Sequence, residues 1–391
     1  MKPPLTFRPV YNRMLILLFL GVLCLPPLKM ILSPEERWSA TEQRVLAPKP
    51  TPPTAINQLG TFFSQSDNYL KDHFGFRDVF IESYQHEMEK HFNQIGVNAP
   101  VLKGLKGWYF YTADKVLEDF RGETPLSQEQ LEQWLAAQDK KAHWLQQQGI
   151  RYILAAGPDK HSIYPEYLTE NALTVKGVSR FEQMLASLDQ HPLPYLVDLH
   201  SAIRQAKGEK ELYFRNDTHW NMRGGHLAFQ AIFKRIAEMF PNKTFKTNFT
   251  FTDDAPGTNS NPGHYGDLAR MLMKEKELVE TSPTPQNLQH CVYPLPFTYH
   301  LSNISSAPDR PSFVKGCNQA ELTAVVFRDS FLVAVEPFFS VNFKKVVYLW
   351  KEYDQKNIEE IMTSFKPDIV IEITVERFLF NLVTAHPEKK E

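Results

Sequence analysis

Asp217 and His219, two apart in LYFRNDTHWNMRGG (212–225), have the residue types of a general base and its orienting carboxylate. In an extended loop, side chains at i and i+2 point the same way, so the carboxylate reaches the imidazole or both face one ligand. A carboxylate on Nδ1 fixes the tautomer that leaves Nε2 free to take a proton, and it stabilises the imidazolium that results. Such a pair still needs a nucleophile. Ser330 in VVFRDSF (325–331) supplies one in type, because a serine on the turn after a buried apolar strand is presented at the edge of a sheet. Taken singly, both patterns have ordinary structural readings: D-x-H as a cap or surface pair, and Ser after Asp as a helix cap. A third reading is a metal centre on Asp217, His219 and a further histidine such as His226 or His264.

These residues must be carried by strands and helices in alternation. RYILAAGPD (151–159), PYLVDLH (194–200), ELTAVVFRDSF (321–331), KKVVYLW (344–350) and KPDIVIEITVERF (366–378) are apolar runs that end in polar turns. Helices are predicted between them: 126–149, with Ser127 as cap and Gly149 as stop, then 180–188 and 355–365. GLKGWYFY (104–111) reads as a turn and an aromatic strand. The alternation predicts an α/β fold, a mostly parallel sheet covered by helices on both faces, with function at the carboxyl ends of the strands. Residues 241–318, rich in Asn, Thr, Pro and Ser, read as a long loop-rich insertion or lid.

The amino terminus sets the compartment. Lys2, Arg8 and Arg13 precede MLILLFLGVLCL (14–25); Pro26 and Pro27 interrupt, and LKMIL runs on to Leu32. Twelve apolar residues rise only about 18 Å, but continuation to Leu32, with Lys29 snorkelling, approaches the roughly 30 Å hydrocarbon core. No small-x-small cleavage site follows, since Trp38 stands two before Ala40, so residues 1–32 are expected to be an uncleaved signal anchor with the basic flank inside. Proline-rich residues 33–55 are read as a linker with no catalytic role, 56–380 as the catalytic domain and 381–391 as a disordered tail. FGFRD (74–78) marks a break between two helices. Forty-three basic against 45 acidic residues leave no net field to draw nucleic acid, which is not expected as a partner. Cys24 lies in the anchor; Cys291 and Cys317 are free to pair in an oxidising compartment, and no zinc-type spacing is present.

The ordered series FGFRD, GLKGWYFY, GPDKHSIYPE, LYFRNDTHWN, YGDLA and VVFRDSF resembles the SGNH-hydrolase-like O-acetyltransferases of the AlgJ/AlgX type, which acetylate bacterial exopolysaccharides such as alginate. The resemblance spans roughly residues 35–380. It implies a three-layer SGNH-like sandwich in circularly permuted motif order, with the serine last rather than first. It also implies catalysis by Ser330, His219 and Asp217 through a serine acyl-enzyme, with no metal and no resident cofactor. Arg328 stands where such serine motifs commonly carry glycine. Lys160, Tyr164, Arg215, Trp220 and Arg328 are the expected groove residues, Trp220 as a platform for a sugar ring, although Trp220 and Tyr164 read equally as core aromatics and Lys160 and Arg215 as ion-pair partners.

An exported domain has no cytosolic acetyl-CoA, so the resemblance further implies a multi-pass, MBOAT-like membrane acyltransferase that hands over acetyl groups drawn ultimately from acetyl-CoA. The expected setting is the bacterial inner membrane, with the catalytic domain in the periplasm, beside the polysaccharide and possible members of an exopolysaccharide secretion complex. The length fits the membrane-anchored AlgJ-like form. Two other activities fit the same residues: an acetyl-ester hydrolase using the same triad, and a non-catalytic polysaccharide-binding assembly protein.

Overall fold

The computed structural model describes residues 8–34, 36–39, 44–92, 100–169, 176–253, 263–288, 291–302, 304 and 310–384. The chain divides into two compact units. One is Met1–Ala99 with Ala269–Glu275, and the other is Pro100–Leu268 with Lys276–Glu391. Ala40, used in the cleavage argument, and the tail from residue 385 fall outside the described residues.

In the first unit, helix Arg8–Leu32 runs through Pro26 and Pro27 without a break. Its stretch Tyr11–Leu32, 22 residues, is long and apolar enough by length and composition to cross a membrane. The helices Leu59–His73 and Arg77–Phe92 follow, parted at the predicted FGFRD break, where Phe76 takes a φ of 63°.

The second unit is built on a seven-stranded sheet. In chain order its strands are β1 Arg151–Gly157, β2 Leu196–Val197, β3 Val292–Leu295, β4 Phe313–Cys317, β5 Thr323–Arg328, β6 Lys345–Trp350 and β7 Ile369–Val375. Their spatial order is β3-β4-β6-β5-β7-β1-β2. The five strands from β6 to β2 pair in parallel, and β4 and β3 add antiparallel at one edge. Alternation with a period of two sends Ile153, Val326, Tyr348 and Ile371 into one core layer and Leu154, Val325, Val347 and Val370 into the other. Helices Leu199–Gln205 and Met222–Met239 cover the first face; Gln128–Gln147, Arg180–Ser187 and Gln355–Met362 cover the second. The result is the expected three-layer α/β sandwich with a mostly parallel sheet.

Local signals were read correctly where they were strong. Ser127 and Gln130 form a reciprocal capping box at the start of helix Gln128–Gln147, and Gly149 ends it with a φ of 70°. Two readings are corrected. PYLVDLH is strand for only Leu196–Val197, because Asp198 accepts a bond from the Ser201 N–H and starts helix Leu199–Gln205. The supposed insertion 241–318 contributes β3 and β4 to the main sheet, and its Cys291–Cys317 disulfide ties the two adjacent antiparallel strands together, with Cα atoms 4.9 Å apart.

Candidate active site

The segment carrying Asp217 and His219 is a closed loop. Tyr213 and Trp220 form an antiparallel bridge, and the Asn221 N–H donates to the Leu212 carbonyl at 2.9 Å. The Asn221 side chain then caps helix Met222–Met239 by accepting from the N–H groups of Arg223 and Gly224. Two glycines allow this helix to sit where it does. A Cβ at Gly224 would lie 2.3 Å from the Leu212 carbonyl oxygen, and one at Gly225 would lie 2.5 Å from that of Ala334. Ala334 closes the short turn Ser330–Ala334, so the helix is packed against the loop and the serine turn together.

Ser330 opens that turn just beyond the carboxyl end of β5, the central strand of the sheet. Asp329 fixes it there, accepting from the Phe331 N–H at 2.8 Å and from the Val375 N–H at 2.6 Å. Trp220 completes the clamp: its indole N–H donates to the Phe331 carbonyl at 2.9 Å, and its ring meets Phe331 edge-on.

The three sequence candidates form one relay. Ser330 Oγ lies 2.7 Å from His219 Nε2, and His219 Nδ1 donates to Asp217 Oδ1 at 2.6 Å. With Nδ1 holding the proton, Nε2 is the acceptor for the serine hydroxyl. Asp217 is buried, and its oxygens accept three further bonds: from the His219 N–H at 2.9 Å, His264 Nε2 at 2.8 Å and the Asp267 N–H at 3.0 Å. Burial pushes the Asp217 pKa up, but the His219 charge and the bonds from both imidazoles outweigh it and hold the carboxyl well below the usual carboxylate range. Burial pulls His219 down, and the charge and hydrogen bond of Asp217, aided by Asp267, more than reverse this, so its pKa is raised.

Sequence reasoning missed Asp267 and Glu280, which hold this loop from outside, and read His264 only as a possible metal ligand. Asp267 accepts from the Thr218 N–H at 2.7 Å and from the Thr218 hydroxyl at 2.5 Å, gripping the residue between Asp217 and His219. Glu280 accepts from the N–H groups of Arg215 and Asn216, each at 2.8 Å. His264 stacks on Phe214 with ring centroids 3.6 Å apart while it binds Asp217. YGDLA (265–269) was the available signal for Asp267; nothing local marks Glu280.

Four of the five expected groove residues are spent inside the protein. Lys160 is buried, and its ammonium donates to the carbonyls of Phe214, Arg215 and Asp217, so it holds the loop and not a ligand; burial lowers its pKa to about 8. Tyr164 is buried and accepts from the Leu212 N–H. Trp220, at 1% exposure, has no face for a sugar ring. Arg328 is buried against Trp350, 3.9 Å from its ring centroid, and donates to the Pro311 carbonyl. Arg215 alone is substantially exposed, and it pairs with Glu211.

Asp217, His219 and Asp267 bring potential ligand atoms within 4.8 Å of one another. These atoms are already committed. Both oxygens of each carboxylate accept protein N–H or O–H groups, and His219 Nδ1 is bonded to Asp217. A cation there would have to displace that network. His226 bonds the Thr247 carbonyl instead, and His264 is tied to Asp217, so neither extends a metal site.

The model of the SGNH hydrolase-like domain of acetyltransferase AlgX matches residues 101–296, half of the chain. The match includes Asp217 and His219 and stops before Ser330. Curated relatives include the probable alginate O-acetylase AlgJ of Pseudomonas putida, 28% identical over 48% of this chain and 46% of that protein. Its counterpart from Pseudomonas aeruginosa is 26% identical over 48% and 45%. The chain thus spans about half the length of the curated relatives it matches. Among solved structures, Bacillus cereus PatB1 aligns with a TM-score of 0.49 and 17% identity over 71% of this chain and 96% of that one. The O-acetyltransferase domain of Pseudomonas putida AlgJ aligns at 0.42 and 18% over 72% and 92%.

Proposed function

This chain belongs to the AlgX-type family of SGNH hydrolase-like acetyltransferase domains, and on that premise we propose that it transfers acetyl groups to hydroxyls of an exopolysaccharide, alginate or a similar polymer, through an acyl-enzyme on Ser330. The observation that carries this reading is the unbroken relay from Asp217 through His219 to Ser330 at the carboxyl end of β5.

In the first half-reaction His219 Nε2 takes the Ser330 proton as Oγ bonds to the acetyl carbonyl carbon of the donor. The tetrahedral oxyanion needs preorganised donors, and the Ser330 backbone N–H is the first of them. Collapse breaks the bond to the leaving group, which receives the proton from His219. In the second half-reaction a sugar hydroxyl gives its proton to Nε2 and attacks the acetyl carbon, and Ser330 Oγ recovers a proton as the ester breaks. Acetyl has moved from donor to sugar, and the enzyme is unchanged. No resident cofactor is required. The donor is a membrane acyltransferase of the multi-pass, MBOAT-like kind that draws on acetyl-CoA across the bilayer, and the catalytic unit works in the periplasm, held by Tyr11–Leu32 as an uncleaved anchor. Packing of the 74–76 turn on this helix within one compact unit supports retention of the anchor.

The test uses the purified full chain with an activated acetyl ester and a polymer acceptor. Wild type should gain one acetyl on Ser330 by intact-mass analysis and pass it to acceptor faster than to water. Ser330→Ala should gain none. Wild-type turnover by Ser330→Ala, abolished by chelators, would replace the serine mechanism with a metal one; release of acetate with acceptor left bare would make the protein a hydrolase.

A further inference from the structure

We propose that the turn Phe74–Gly75–Phe76 and the start of the following helix are an interfacial membrane element, seated in the outer boundary of the bilayer beside the anchor. This rests on the anchor reading given above, and the membrane-crossing length of Tyr11–Leu32 is its starting point. Twenty-two helical residues rise about 33 Å, close to the roughly 30 Å hydrocarbon core. Leu32 therefore marks the outer edge of that core. Lys29 lies about 5 Å inside the edge and Pro26 about 9 Å inside.

The turn touches the anchor at that depth. Gly75 approaches it so closely that a Cβ there would lie 2.1 Å from the Pro26 carbonyl oxygen and 2.8 Å from Lys29 Cβ. The Lys29 ammonium sits over the Phe76 ring, 5.9 Å from its centroid, as expected of a lysine that runs its stem along apolar surface towards the headgroups. A turn in contact with Pro26 and Lys29 lies at the depth of about 5–10 Å reached by the apolar faces of interfacial helices.

The side chains suit that depth. Phe74 and Phe76 are 44% and 40% exposed, and Val79 and Phe80 are more than half exposed. The Phe74 and Phe80 rings lie 6.2 Å apart, so these residues make one apolar surface continuous with the anchor. Phenylalanine is among the residues that interfacial helices bury at this boundary. In water the same patch would be a liability. The occupant that the contact with the anchor selects is the lipid of the outer leaflet boundary.

The experiment places single spin labels on the full chain in lipid nanodiscs, in a Cys24→Ser background, since Cys24 is the free cysteine among the described residues. Labels at Phe76→Cys and Val79→Cys should show oxygen accessibility well above, and accessibility to a water-soluble nickel complex well below, those of a label in bulk water. Leu18→Cys, within the span, provides the lipid reference. Adding Gly75→Val, which cannot pack on Pro26, should move the Phe76→Cys label towards the aqueous reading and leave acetyl-ester turnover unchanged. Water-like readings at 76 and 79 with a lipid-like reading at 18 overturn this inference alone. Water-like readings at all three overturn the anchor as well. Labels shielded from both reagents would mean a protein contact in place of lipid, and would also overturn it.

Discussion

Asp217→Asn removes a charge from the centre of the site with almost no change of shape. In the native protein four donors converge on this carboxylate: His219 Nδ1, the His219 N–H, His264 Nε2 and the Asp267 N–H. An amide has one acceptor oxygen and two N–H donors, so either orientation orphans a buried N–H, of Asp267 or of His219. In one orientation the amide nitrogen faces His219 Nδ1 and forces the ring proton onto Nε2, where it cannot accept from Ser330. In the other the base survives, but the imidazolium formed during reaction has lost its counter-charge. A hydrogen bond to a charged group contributes about 1.5–3 kcal/mol, and a unit charge at about 4 Å in an effective dielectric of about 20 contributes about 4 kcal/mol. Because these overlap, the expected loss is about 3–5 kcal/mol of transition-state stabilisation, or roughly a hundred- to ten-thousand-fold in kcat.

The assay is acetate release from an activated acetyl ester followed over pH, below the melting temperature of the variant, since the orphaned N–H costs about 1–3 kcal/mol of stability. Activity needs neutral His219, so wild type should rise through a pKa lifted above the ordinary imidazole value. Burial alone would depress that pKa, and Asp217 is the main reason it is raised. In Asp217→Asn the acid limb should therefore move to lower pH while the plateau falls. A plateau equal to wild type, or an acid limb that stays in place or moves up, would refute the orienting role of Asp217.

His264 should act on the same carboxylate from its other side. His264→Ala should lower kcat about tenfold or more with little change in KM, and His264→Gln, which keeps a donor near the Nε2 position, should recover most of it; equal loss in both variants would count against a positioning role. The Cys291–Cys317 bridge closes a separation of 26 residues, so reduction should cost about 3 kcal/mol of stability, read from denaturant midpoints with and without reductant, and coincident midpoints would count against it.

What the sequence made legible follows from how each element is buried. Strands β1, β5, β6 and β7 are covered on both faces and read as continuous apolar runs, so they could be placed from pattern alone. β3 and β4 could not. They lie at the antiparallel edge, β3 carries Pro294, and β4 carries Lys315 and Gly316, a composition that reads as loop until sheet pairing is known. The same division runs through the site. Asp217, His219 and Ser330 were legible from short local motifs, one just before helix Met222–Met239 and one just after β5, whereas Asp267 and Glu280 reach the loop across 49 to 65 residues of chain.

Of the two readings open for the expected groove residues, the buried one fits Lys160, Tyr164 and Trp220, for one physical reason. These are long or aromatic side chains with a polar tip, and Lys160, Tyr164 and Trp220 spend that tip on backbone groups of the loop and the serine turn. Each buried polar tip must find a partner, and two short polar-ended segments brought together at the carboxyl ends of the strands offer many backbone partners. The loop is thus held by Lys160 from within and by Asp267 and Glu280 from outside, which keeps the imidazole within 2.7 Å of the serine before any ligand arrives. In the proposed reaction, rigidity of this kind serves the chemical step, which every acetyl acceptor would share. Under the proposed acetyl transfer, discrimination among polymers falls to groups that still face solvent around the relay. Of the five residues expected there Arg215 alone qualifies, and its ion pair with Glu211 is exposed enough for an acidic polymer to compete for the guanidinium.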